Sequence, residues 1–253
     1  ASADSVPVSC FGGSDGEATV TANGGTPPYR YLWNDPAGQT TATATNLEAG
    51  TYQVTVTDTN NCVVNVTIEV TEPNRLVIDD MDSTAVSCFG FADGSASVSV
   101  MGGSAPYSYL WNDAAGQTVD SATGLVAGTY TVVVTDNNGC TATDSIVVPE
   151  PTLLEITAID STDLTCFDAN DGTAFVTASG GIRPYTYIWN DASGQTTDAA
   201  IGLSPGTYQV TITDSNGCSV TDSTTVLQGP IVTGTLTADS VSCNGDMDGR
   251  AWV

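Results

Sequence analysis

Apolar and polar positions alternate with period two along most of this chain, and the stretch from 95 to 148 shows the pattern most plainly. Ala96, Val98 and Val100 fall on one face and serines on the other, which predicts a half-buried strand over Ser95 to Val100. Met101 to Pro106 turns the chain. Tyr107, Tyr109 and Trp111 share one face of the next strand, Asn112 to Gln117 form a turn, and a weaker strand ends near Leu125. Ala127-Gly128 opens the strongest strand, in which Tyr130, Val132 and Val134 face inward. Asp136-Asn-Asn-Gly139 is a tight-turn signal, and Cys140 opens a last strand through Val148. Helical periodicity is absent throughout.

The same pattern recurs at an interval of 78 residues, shown by Trp33, Trp111 and Trp189 and by Cys62, Cys140 and Cys218. The unit therefore predicts an all-β architecture of tandem small antiparallel β-sandwiches forming an elongated string. Proline-bearing boundaries at Glu72-Pro73, Pro149-Glu-Pro151 and Gly229-Pro230 divide the chain into 1–72, 73–150 and 151–229, with 230–253 starting a fourth repeat. Each core is expected to close around an aromatic stripe: Tyr29, Tyr31, Trp33 and Tyr52, then Tyr107, Tyr109, Trp111 and Tyr130, then Tyr185, Tyr187, Trp189 and Tyr208.

Twenty-nine acidic residues against four arginines, with no lysine or histidine, give a net charge of -25. Such a surface repels phosphates, so nucleic acid and anionic membrane are poor partners, whereas calcium, basic proteins and neutral glycans are compatible. No apolar run approaches the roughly 20 residues of a membrane helix, so direct insertion is not expected. Residues 1–9 lack the pattern of an export signal, which places any such signal upstream. Without histidine or lysine, neither a Ser-His-Asp nor a Cys-His nucleophile can be assembled, and tight turns offer no cleft for a carboxylate pair. The expectation is a chain that is not an enzyme.

Regular cysteines without Cys-x-x-Cys spacing point to disulfides and an oxidising exterior. If all six strands of a repeat alternate in direction, its first and last turns share a pole. Cys10–Cys62, Cys88–Cys140 and Cys166–Cys218 are then the expected bridges, with Cys243 unpaired. An extra strand between the fourth and fifth strands would move one cysteine to the opposite pole. Links between neighbouring repeats, Cys62–Cys88, Cys140–Cys166 and Cys218–Cys243, remain open alternatives. The same parity gathers acids at that pole: Asp15, Asp35 and Asp58 with Asn60, Asp93, Asp113 and Asp136 with Asn138, and Asp171, Asp191 and Asp214 with Asn216. Calcium, which takes six to eight hard oxygen ligands, is the candidate ion. The competing reading is that these are ordinary turn formers bonded to their own backbone.

Val-Ser-Cys-Phe-Gly-x-x-Asp-Gly, Gly-Gly-x-x-Pro-Tyr-x-Tyr-x-Trp-Asn, Gly-Thr-Tyr-x-Val-x-Val-Thr-Asp and Asn-Gly-Cys together resemble the SprB repeat of giant surface proteins in gliding and related Bacteroidetes. The Gly-Thr-Tyr and Thr-Asp segments are also similar to polycystic-kidney-disease-type and other immunoglobulin-like modules. The resemblance implies type IX export, a place on the outer cell surface, and a role in adhesion or gliding motility. Its partners would be neighbouring repeats of one long chain, with other surface or filament proteins and glycans beyond them. Two functions follow from it: a structural stalk, or an adhesion module whose repeated weak sites hold a ligand. The stalk is favoured because equivalent outward positions, Arg30, Ser108 and Thr186 at one and Thr19, Ser97 and Phe175 at another, do not supply the same chemistry in every copy.

Overall fold

The structure is a computed structural model and describes residues 1–238, 247 and 249–252. It contains strands and no helix among those residues. Compactness groups them into two units, the first holding 1–86 and 90–149, the second 87–89 and the chain from 150 onward.

The first unit contains two sandwiches. In the first repeat the strands are β1 (Ser2–Val6), β2 (Gly16–Thr21), β3 (Arg30–Trp33), β4 (Thr43–Leu47), β5 (Gly50–Thr57) and β6 (Val63–Val70). They form two antiparallel sheets, β1-β2-β4 and β3-β5-β6. The second repeat repeats this with β7 (Val77–Thr84), β8 (Gly94–Met101), β9 (Ser108–Trp111), β10 (Ser121–Leu125), β11 (Gly128–Thr135) and β12 (Thr141–Val148). The second unit carries β13 (Glu155–Thr162), β14 (Gly172–Ser179), β15 (Thr186–Trp189), β16 (Ala199–Leu203), β17 (Gly206–Thr213) and β18 (Ser219–Val226) in the same arrangement. Beyond them, Thr237–Ala238 and Ala251–Trp252 form one short antiparallel pair, β19 and β20.

In immunoglobulin terms the sheets are A-B-E and C-F-G, so the repeats are immunoglobulin-like sandwiches. A second hallmark agrees. Tyr52, near the start of β5, donates its hydroxyl to the carbonyl of Glu48 four residues upstream, as Tyr130 does to Val126 and Tyr208 to Ser204. This is the tyrosine corner of such domains.

The period-two pattern fixes what is buried. In β2 the glycine, alanine and valine at 16, 18 and 20 turn inward while Glu17, Thr19 and Thr21 turn out. The first core consists of Val8, Ala18, Val20, Trp33, Ala44, Leu47, Val54, Val56 and Val70. Trp111 and Trp189 centre the other two. All three indoles are fully buried, and all nine tyrosines of the aromatic stripes are half-buried against these cores. The Asp15-Gly16 pair, expected to be a turn signal, has a packing reason as well. A Cβ on Gly16 would stand 2.6 Å from Val70 Cγ1, so only glycine lets β6 approach.

The strands do not alternate strictly. Both β1 and β4 pair antiparallel with β2, so β4 runs in the direction of β1, and the connection from 34 to 42 crosses the sandwich from end to end. Three groups tie that crossing down. Trp33 donates Nε1–H to Thr41 O at 2.9 Å, and Asp35 accepts from the Ala37 and Gln39 amides. Gln39 in turn bonds Asp35 and both backbone groups of Thr45. Gln117 and Gln195 repeat this role beside Asp113 and Asp191.

Candidate functional site

The crossing decides where the cysteines lie. In the first repeat the β1–β2 turn sits beside the end of β6, because the Val8 amide donates to Thr71 O and the Gly12 amide to a Glu72 carboxylate oxygen. Cys62 precedes the start of that same eight-residue strand. At about 3.4 Å per residue, roughly 24 Å of β6 separates the two ends. A disulfide needs Cα atoms within about 7 Å.

The expected Cys10–Cys62, Cys88–Cys140 and Cys166–Cys218 bridges are therefore not formed, and the strand parity behind them is corrected. Cys10 bonds Cys140 instead, with Cα atoms 5.7 Å apart, and Cys88 bonds Cys218 at the same separation. The first cysteine of a repeat thus joins the second cysteine of the next. The alternative pairings Cys62–Cys88 and Cys140–Cys166 are not formed either, because Cys88 and Cys140 are already bonded elsewhere. Cys62 and Cys166 are exposed free thiols. Cys243, and with it the Cys218–Cys243 alternative, lies outside the described residues, although Cys218 is already bonded to Cys88.

Each junction is completed by an asparagine. Asn138 donates Nδ2–H to Ser9 O at 2.8 Å and to Ser104 Oγ at 3.1 Å. Asn216 likewise donates to Ser87 O at 3.0 Å. In the first repeat Asn60 donates to Thr26 Oγ1. These asparagines offer N–H donors to a neighbouring turn.

The aspartates are committed to their own turns. Asp58 accepts from the amides of Thr26, Asn60 and Cys62 at 2.8 to 3.0 Å, and the bonds from Cys62 and then Thr26 hold its carboxyl below the usual aspartate range. At Asp136 burial pushes the pKa up, but amides of Ser104, Cys140, Asn138 and Gly139 outweigh it and the net shift is downward. Asp214 repeats this with Ile182, Cys218 and Asn216. For Asp35, Asp113 and Asp191 burial is likewise outweighed, here by Gln39, Gln117 and Gln195. Asp15 is lowered by the Ser9 side chain and amide, and Asp171 by those of Thr165. Asp93 holds the matching place before β8.

The expected gathering of three acids at one pole is corrected as well. Asp15 lies at the β1–β2 end, and Asp35, which follows the Trp33–Val54 pair, lies toward the start of β5 at that same end. Asp58 lies at the other end, and no cation ligated at 2.3 to 2.6 Å spans that length. Among the described residues, no three His, Cys, Asp or Glu side chains are grouped to hold a metal ion.

Two features escaped the sequence reading. The glutamine of the crossing had a signal in the recurrent Gly-Gln-Thr at 38–40, 116–118 and 194–196. The phenylalanine after the first cysteine is an equivalent exposed aromatic in the three complete copies: Phe11, Phe89 and Phe167 are each about half exposed.

Comparisons with known proteins bear on this arrangement. Solved structures similar in part include the N-terminal eight immunoglobulin domains of Down syndrome cell adhesion molecule, at 12% identity and TM-score 0.34, covering 83% of this chain and 32% of that one. Another is the C-terminal 282-residue fragment of intimin in complex with its receptor's intimin-binding domain, at 18% identity and TM-score 0.36, covering 62% and 66%. A third is a tetra-tandem repeat in the extending region of a large adhesion protein, at 17% identity and TM-score 0.24, covering 92% and 74%. The chain spans less than two thirds of the length of the first two. No curated protein matches it significantly in sequence. The SprB repeat family matches residues 2–38, 82–116 and 158–194, and each match holds a first cysteine, its Asp-Gly turn and the buried tryptophan. The chain therefore holds three tandem segments that match the SprB repeat.

Proposed function

We propose that this chain is a non-catalytic segment of a large bacterial surface adhesin, in which the repeats act as a covalently stitched, load-bearing stalk for adhesion or gliding. The carrying observation is the bridge from each first cysteine to the second cysteine of the next repeat. A bridge inside one repeat would protect that repeat alone, whereas this pattern makes tension pass from copy to copy through sulfur. SprB repeats occur in cell-surface proteins, and none of the described residues forms a helix long and apolar enough to cross a membrane.

Single-molecule extension of the chain tests the reading. With both bridges intact, the shortest covalent path from Cys10 to Cys218 crosses to Cys140, runs back along the chain to Cys88 and crosses again, withholding roughly 530 Å of contour length at about 3.4 Å per residue. Adding reductant should release that length. Equal extension with and without reductant would remove the basis for a stalk.

The exposed Phe11, Phe89 and Phe167 favour a second reading, an adhesion module with one weak apolar contact per copy. Replacing all three with serine and measuring attachment to glycan- or protein-coated surfaces separates the two. Lost attachment with unchanged extension favours the adhesion module.

A further inference from the structure

The second and third repeats each receive a short segment of chain in a seat made by two glycines. In the second, Gly103 donates its amide to Asn74 O at 2.8 Å, and a Cβ on Gly102 would stand 1.9 Å from Arg75 O. Leu76 is buried there, its Cδ1 3.0 Å from where a Gly103 Cβ would be. In the third, Gly181 donates to Thr152 O, a Gly180 Cβ would stand 1.7 Å from Leu153 O, and Leu154 is buried. Both seats adjoin a bonded second cysteine, Cys140 or Cys218, and an asparagine holding a serine carbonyl of the incoming turn.

The first repeat has the same parts in the same order. Gly24 and Gly25 keep the positive φ of their counterparts, at 81° and 71°. A Cβ on Gly24 would meet nothing within 4 Å, and the atoms nearest to one on Gly25 would belong to Asp58, at 2.9 Å and beyond. The two glycines border a cavity of about 150 Å³, lined also by Ala1, Ala22, Tyr29, Val56 and Cys62. The Cys62 thiol is free and exposed beside Asn60. At the far side of the pattern, Cys166 is a first cysteine, the type that bonds forward in the other two repeats, and it too is free and exposed.

We propose that Cys62, Asn60 and the Gly24-Gly25 cavity form a docking and disulfide site for another copy of this repeat, and that Cys166 with its turn is the complementary half. The occupant is a proline-bearing linker with its apolar residue, equivalent to Arg75-Leu76, together with the first-cysteine turn of the repeat that precedes it, which in the third repeat is Thr165-Cys166-Phe167. The linker fills the cavity, Asn60 takes the carbonyl of the residue before the incoming cysteine, Thr165 in the case of Cys166, and that cysteine reaches Cys62.

The covalent step is thiol–disulfide exchange with a small-molecule disulfide such as oxidised glutathione. One cysteine thiolate attacks that disulfide and releases one glutathione thiol, leaving a mixed disulfide. The second cysteine thiolate attacks the protein sulfur and releases the other. Two protein thiols lose two protons and two electrons, and one glutathione disulfide is reduced to two thiols.

The test is a concatemer in which residues 1–233 precede a full copy of 1–253. The register is kept because Cys10 and Cys243 lie 233 positions apart. At low micromolar concentration in a glutathione redox buffer, the single chain should alkylate fully at Cys62 and Cys166. In the concatemer labelling of each should fall by half, since one copy of each is internal, and unreduced peptide mapping should recover a Cys62–Cys166 link beside the Cys10–Cys140 link. Asn60→Ala in the second copy should slow formation of the new link without changing the Cys10–Cys140 yield. Full alkylation of both thiols in the oxidised concatemer, or a Cys62–Cys10 link, overturns the proposal. Neither outcome bears on the force readout, so this site and the stalk stand or fall separately.

Discussion

The β5–β6 turn of the first repeat and the β11–β12 turn of the second have nearly the same local bonds and different surroundings. Asp58 and Asp136 each accept three amides from equivalent neighbours, and each amide at the end of the turn belongs to a cysteine. Yet Cys140 is bonded to Cys10 and its glycine seat is filled, while Cys62 is a free thiol beside a cavity. The turn is built by its own residues, whereas the junction requires a second repeat. Local geometry therefore makes every copy ready for coupling, and the neighbour decides whether coupling occurs.

The largest expected break in the comparison comes from sulfur. Cys140→Ser opens a loop of 130 residues, and the chain-entropy model assigns that closure about 5 kcal/mol as an upper value. Cys62→Ser, at an exposed thiol, should change stability by less than about 0.5 kcal/mol. Denaturant titration of both variants in oxidising buffer checks the contrast, and equal losses would mean that the first-repeat thiol is not idle.

Alanine scanning of the seat comes next. Gly102→Ala drives a methyl into Arg75 O and should cost about 3 kcal/mol or more, combining overpacking with left-handed backbone strain. Gly24→Ala meets open space, so the backbone term of about 1 to 2 kcal/mol alone should remain. A shared value at the two positions would show that the seat contributes nothing.

Acid should affect the two turns alike. Because the folded-state pKa values of Asp58 and Asp136 are depressed, their contribution is present above the unfolded value, about 3.9, and is lost as pH falls through the lower folded value. Melting temperature should be flat from pH 7 to about 5 and fall below about pH 4. Asp58→Asn and Asp136→Asn should each flatten that fall by a similar amount.

The smallest effect concerns divalent ions. With Asp58 at the opposite end of its repeat from Asp15 and Asp35, and Asp136 likewise from Asp93 and Asp113, calcium and magnesium at equal ionic strength should shift the melt by the same small amount. A larger shift with calcium, removed by chelator, would show a site made elsewhere.

The strands, their inward faces and the repeat were legible because they follow from nearest-neighbour chemistry. Alternation in Ala96, Val98 and Val100 sets a strand and its face whatever the rest of the chain does, and a tryptophan every 78 residues fixes the unit. Tight turns announced themselves through Asp and Gly for the same reason. The resemblance to SprB repeats was legible too, since it rests on residues in fixed order.

Sulfur pairing was not legible, because it depends on the sheet that β4 joins. Residues 43–47 alternate equally well beside β2 or β5, and only packing around Trp33, Leu47 and Val70 places them against β2. That choice makes the chain cross the sandwich once more, sends Cys62 to the pole opposite Cys10, and leaves Asp58 far from Asp15. Sequence by itself determined the second to sixth strands of each repeat, the Asp- and Gly-bearing tight turns and the interval between copies, since these are settled within a few residues. Tertiary structure alone decided which turns share an end and which cysteines meet, because a disulfide is set by distances of a few ångströms between residues 130 positions apart.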